Sequence, residues 1–305
     1  VNSETDAPLN EASVTRTFDI ATPLSEIITS TIASAHEHSQ KFGNAPEIGS
    51  RAALELLGSA KLKNRRRYDD EEQAHMLAGG LYIPSAGHFL TALARLLSFN
   101  MELFGFQVVA RSVMECSARA WWLVDADATE DVRLARHYVD RLDNLNQAAK
   151  PVPGSADEVK VMKRELITQA RESGLTPTFS KRNSNHLVGF NGVTKIKSTE
   201  LSGRFFKAIG FIAGEAWYQT FSAVVHGTPN GLLQYLKFDE NSAEEFQPLI
   251  PSLDIESVRQ AAILSTQAYL GAIEFDCRHL GRDGDFVAKY RREVFERMTS
   301  IPLPV

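Results

Sequence analysis

Two short stretches set polar side chains at intervals of four within otherwise apolar helical sequence. YQTFSAVVHG, residues 218–227, carries Tyr218, Ser222 and His226, and ARSVMECSARAWWLVD, residues 110–125, carries Arg111, Glu115 and Arg119. Side chains four apart share one helix face, so each segment presents a single polar stripe. Burying such charges without partners costs several kcal/mol per ion, on the order of the whole stability of a small domain. The economical arrangement is that the two stripes meet in a common pocket. His137 and Tyr138, in RLARHYVDR, join it from the next helix along the chain.

Such a pocket suits an anionic or phosphate-containing ligand. Arg111 and Arg119 present planar forks to phosphate or carboxylate, and Tyr218, His137 and Tyr138 complete the binding set. Glu115 and His226 exchange protons near neutral pH, and Ser222 adds a hydroxyl, so these three are the candidate catalytic residues. With Glu115 ionised between two arginines, one positive charge is left over, which favours an anion in the pocket. If the protein is an enzyme, it is a hydrolase acting on a phosphodiester or other anionic substrate. A Ser222–His226 nucleophile pair on one helix lacks the orienting third residue and the oxyanion hole of a hydrolytic triad.

Each piece also has a plain structural reading. An Arg-Glu-Arg line is a salt-bridge ladder, a serine in an apolar helix bonds back to the carbonyl four residues earlier, and a histidine before Gly227 caps its helix. Tyr218 alone reads as a core aromatic. On that alternative the protein is a non-enzymatic binding or interaction module whose polar stripes pin two helices together.

Other motifs carry less. Glu72-x-x-His75 has the spacing used in di-iron bundles, but such sites need a second copy, and no second Glu-x-x-His is present. His36 and His38 fall on different sides of a helix. There is no phosphate-binding loop, dinucleotide fingerprint or zinc-finger spacing. Neither a metal nor a cofactor is expected. KLKNRRRYDDEE sets five basic residues against four acidic ones, which reads as a solvated helix end and leaves a nucleic-acid partner open.

The elements that position these residues are helical. Apolar residues recur at three and four almost throughout the chain. Thr22 and Pro23 mark a first helix start after a polar tail over residues 1–20, taken as mobile. Residues 86–124 and 213–226 are the most apolar stretches and should occupy the centre. Ser155 and Glu158 form a capping box before an amphipathic helix that ends at Gly174. Residues 175–197 and 236–252 lack a clear period and read as two irregular connections. The expected fold is all-α: a single multi-helix bundle spanning 21–305.

The 305 residues are 43% hydrophobic and carry 33 basic against 38 acidic side chains, a balance of −5 that gives no general attraction to nucleic acid or anionic membrane. Two cysteines, Cys116 and Cys277, cannot build a disulfide framework, and no run of about 18 apolar residues exists. The expectation is a cytoplasmic protein without a membrane span.

The pairing of RSVMECSARAWWLV with the later YQTFSAVVHG resembles a loosely defined group of uncharacterised bacterial helical proteins. In that group an Arg-x-x-x-Glu helix is matched by a Tyr-x-x-x-Ser-x-x-x-His helix. The likeness spans residues 85–230, and implies a helical architecture and the choice of Arg111, Glu115, Tyr218, Ser222 and His226. More distantly the arrangement is similar to HEPN domains, helical bundles of bacterial defence and toxin systems that include RNases. That resemblance implies a homodimer paired through apolar helix faces. The RNase members carry an arginine, four to six residues, then a histidine. Arg133 with His137 and Arg182 with His186 come nearest, each with three residues between.

Overall fold

The computed structural model describes residues 11–42, 45–98, 105–148, 156–183, 186–228, 236–238, 249–251 and 255–303. Helices α1 (Glu11–Phe42), α2 (Arg51–Lys61) and α3 (Arg65–His75) lead into a π-helical segment (Met76–Tyr82) and α4 (Ile83–Ser98). Then come α5 (Gly105–Val124), α6 (Glu130–Ala148) and α7 (Ala156–Glu172), strands β1 (Pro177–Phe179), β2 (Leu187–Phe190) and β3 (Val193–Thr194), and helices α8 (Ser198–Ala208) and α9 (Gly214–Val225). Strands β4 (Leu236–Phe238) and β5 (Leu249–Pro251) pair before α10 (Ile255–His279) and α11 (Gly284–Thr299). The fold is predominantly α, and no helix among the described residues is long and apolar enough to cross a membrane.

Capping residues fix several helix starts. Ser50, Asn64 and Asp283 accept the backbone N–H groups of Ala53, Arg67 and Phe286, opening α2, α3 and α11. Asn64 follows Lys63, whose φ is +54°, so the basic run 61–67 is split between the end of one helix and the start of the next. The first helix starts earlier than Thr22. Pro23 lies inside α1, at the cost of one helical hydrogen bond. Burial of Ile20, Leu24 and Ile28, spaced by four on one face, offsets that loss. Of the expected tail, residues 11–20 are therefore helical, and 1–10 lie outside the described residues.

The two stretches read as irregular contain short strands. β1, β2 and β3 form an antiparallel meander in the order β1-β2-β3. Asn191 and Gly192, both at positive φ, +49° and +75°, make the tight turn between β2 and β3. Phe190 is fully buried and packs its ring 5.3 Å from that of Tyr138 on α6. Much of 236–252 lies outside the described residues.

The most enclosed element is α10. Every residue from Ala261 to Ala272 is buried, because α1, α4, α5 and α11 pack around it. Its small residues let these neighbours approach, while Thr266 returns its hydroxyl to the carbonyl of Ala262 at 2.8 Å. Helices α4 and α5 lie in this core as expected, and α9 lays Tyr218, Phe221 and Val224 against it.

Candidate functional site

The two polar stripes do meet, where α5 packs on α9. Arg111 Nε donates to Glu115 Oε1 at 2.8 Å, and the hydroxyl of Tyr218 donates to the same oxygen. Arg111 Nε also lies 3.4 Å from the Tyr218 oxygen, with the guanidinium 5.7 Å from the ring centroid. Burial first, and then the hydrogen bond to Glu115, push the Tyr218 phenol up to about 12. Beyond this trio, Arg111 Nη1 stands 3.4 Å from Nε2 of His226, which accepts when the ring carries its proton on Nδ1. His226 is exposed at the C-cap of α9, its backbone N–H bonded to the carbonyl of Ser222. Ser222 is half-buried, and its hydroxyl makes no hydrogen bond among the described residues.

Arg119 does not join them. It turns to α6, donating to Asp140 at 2.9 Å, and stands 3.9 Å from Asp143. Tyr82 donates to the other oxygen of Asp140. The reason is electrostatic. Asp140 is 3% exposed and needs a cation more than Glu115 does, because Glu115 already has Arg111 and Tyr218. The charge expected to be left over between α5 and α9 is thus absent: Arg111 and Glu115 balance one another.

His137 and Tyr138 lie in a different polar centre. Tyr138 donates to Asp70, which is fully buried, and Ser173 donates to the same carboxylate. Arg66 binds Asp70 through two nitrogens at 3.1 and 2.8 Å, and Arg141 Nη1 lies 3.7 Å away. Two guanidinium groups therefore surround one carboxylate. His137 is 1% exposed, and neither ring nitrogen has a partner among the described residues. Burial, and then the charge of Arg141, lower it to about 4, so the ring is neutral at ordinary pH.

His137 and Arg141 line a groove of about 430 Å³ whose other walls are Gln73, Met76, Leu77, Gly80 and Leu81. Five of these seven residues belong to α3 and the π-helical segment or their junction, and π-turns inside helices recur at functional sites. The sequence reading singled out His137 but passed over Arg141 and Asp70, which look like an ordinary solvated charge pattern. Nothing in MLAGG announces the π-turn.

Of the arginine–histidine pairs set beside the RNase motif, Arg133 is buried and occupied by Glu55 and the carbonyls of Asp125 and Ala128. Arg182 and His186 are exposed beside the β1–β2 turn. No family model, no curated protein and no solved structure matches the chain.

Proposed function

We propose that the protein binds a small anionic or phosphate-containing molecule in the groove beside the π-helical segment. The observation that carries this reading is His137: a buried imidazole on the groove wall whose two ring nitrogens have no partner among the described residues. Buried polar groups are ordinarily satisfied, and a ligand oxygen would satisfy this one. Arg66 and Arg141 outnumber the single carboxylate of Asp70, so a positive field faces the same wall. Neutral His137 donates one N–H, Arg141 supplies the charge, and Met76, Leu77 and Leu81 suit an apolar body attached to the anion.

Calorimetric titration with inorganic phosphate and with aryl phosphates and carboxylates tests the reading. His137→Leu and Arg141→Met should each weaken binding about tenfold or more, the loss of one charge-assisted hydrogen bond. An affinity unchanged in Arg141→Met would sink it.

The approach of Arg111 to His226 at 3.4 Å supports a second reading, hydrolysis of a phosphodiester or similar anionic substrate, in keeping with the HEPN resemblance. His226 would act as acid or base, Arg111 would bind the substrate under the control of Glu115 and Tyr218, and Ser222 would donate to it. Cleavage of single-stranded RNA or an activated phosphodiester, abolished in His226→Ala, is its expected signature. A homodimer in the bacterial cytoplasm is the proposed setting; the unpaired thiols of Cys116 and Cys277 fit a reducing compartment.

A further inference from the structure

Three helices bring Glu55 of α2, His75 at the end of α3 and His279 at the end of α10 to one point. Nε2 of His75 and Nε2 of His279 are 3.0 Å apart, and they lie 3.7 and 3.9 Å from a single carboxylate oxygen, Oε2 of Glu55. A triangle with these sides is acute, and the point equidistant from its corners lies about 2.1 Å from each, the length of a zinc bond to imidazole nitrogen or carboxylate oxygen.

A hydrogen bond between the two rings accounts for only one side of the triangle. It leaves Oε2 of Glu55 facing both rings yet beyond hydrogen-bond reach of either. A cation at the centre accounts for all three sides. The other oxygen of Glu55 is already committed: Oε1 accepts from Arg51 Nε at 3.2 Å and from Arg133. Those contacts fix the plane of the carboxylate, the kind of outer support that metal-bound carboxylates have. Against the two arginines, Asp276 adds negative charge close enough to act on His75.

We propose that Glu55, His75 and His279 hold one divalent transition-metal ion, with zinc the best match to two imidazoles and one carboxylate. An ion about half an ångström out of the plane of the three ligand atoms keeps each bond near 2.1 Å and leaves a fourth position for water or another oxygen. His75, with 13% of its side chain exposed against 1% for His279, marks the side from which that position is reached. The ion would tie the α2–α3 pair to the far end of α10.

The test uses the full chain, stripped with a chelator and then titrated with Co²⁺. Expected are one Co²⁺ per chain with the intense visible bands of tetrahedral coordination, displacement by Zn²⁺, and a Zn²⁺-dependent rise in melting temperature that chelator reverses. His75→Gln should weaken uptake on the order of 100-fold with the helical circular dichroism retained, while the exposed His88→Gln should leave it unchanged. Weak, octahedral-type bands or substoichiometric uptake by the wild-type chain would overturn the proposal whatever the variants do. So would tight uptake undiminished in His75→Gln.

Discussion

The Tyr218 hydroxyl on α9 donates to Oε1 of Glu115 on α5, and Arg111 donates to that same oxygen. One carboxylate thus serves as the common acceptor for a donor on its own helix and a donor on the neighbour. Tyr218→Phe should cost about 1 kcal/mol, because Arg111 and solvent still reach Glu115. A double-mutant cycle with Glu115→Gln, read from urea unfolding, should return a coupling of about 1 kcal/mol. A coupling near zero would show that the contact is not maintained in solution.

Arg119→Met should be the more damaging change, on the order of 2–3 kcal/mol, since among the described residues it leaves buried Asp140 with Tyr82 and a distant amide from Asn144 for company. Its effect should add to that of Tyr218→Phe without coupling, because Arg119 and Tyr218 belong to separate networks. Denaturant midpoints of the two single variants and the double variant check this.

His137 makes the fold sensitive to acid. In the unfolded chain the ring takes its proton near 6.5, but in the folded protein burial and then Arg141 hold it to about 4. Between those values the unfolded state binds more protons, so stability is fully present above pH 6.5 and falls as the pH drops towards 4. The loss attributable to this residue is roughly 3 kcal/mol over that window. His137→Leu should flatten the fall, measured as the difference in urea midpoint between pH 7 and pH 4.5.

Gly192 is at φ +75°, and no described residue comes within 4 Å of the position of an added Cβ. Gly192→Ala should therefore register only the backbone cost, about 1 kcal/mol. The Phe190–Tyr138 packing behind the turn should persist, as judged by near-ultraviolet circular dichroism.

The helical class was legible because the apolar spacing is regular, and the meeting of Arg111 with Tyr218 was legible because unpaired charge is costly. The partner of Arg119 was not. Asp140 and Asp143 sit among the charges of a helix that reads as a solvated surface, and nothing local reveals that their faces turn inward. The length of α1 was hidden by Pro23, whose preference for a first turn was overridden by the apolar face running through it. The Glu55–His75–His279 cluster draws on three distant segments. A search for a second Glu-x-x-His passes over Asp276-x-x-His279, and Glu55 has no neighbour in sequence to mark it.

From Arg65 to Ser98 the chain runs through α3, the π-helical segment and α4 without leaving helical form. An α-helix turns about 100° per residue, so the wider winding between Met76 and Tyr82 acts as a phase correction between the two halves of one rod. It lets Asp70 face the polar layer of α6 and α7 while Leu90, Leu93 and Leu97 face the apolar interior. Excising a single residue there, Gly80 for instance, would restore uniform winding and make those two demands incompatible, since one half of the rod would rotate out of register with its partners. The groove beside His137 lies along this correction, so its shape is tied to the phase of the rod and not to the groove residues alone.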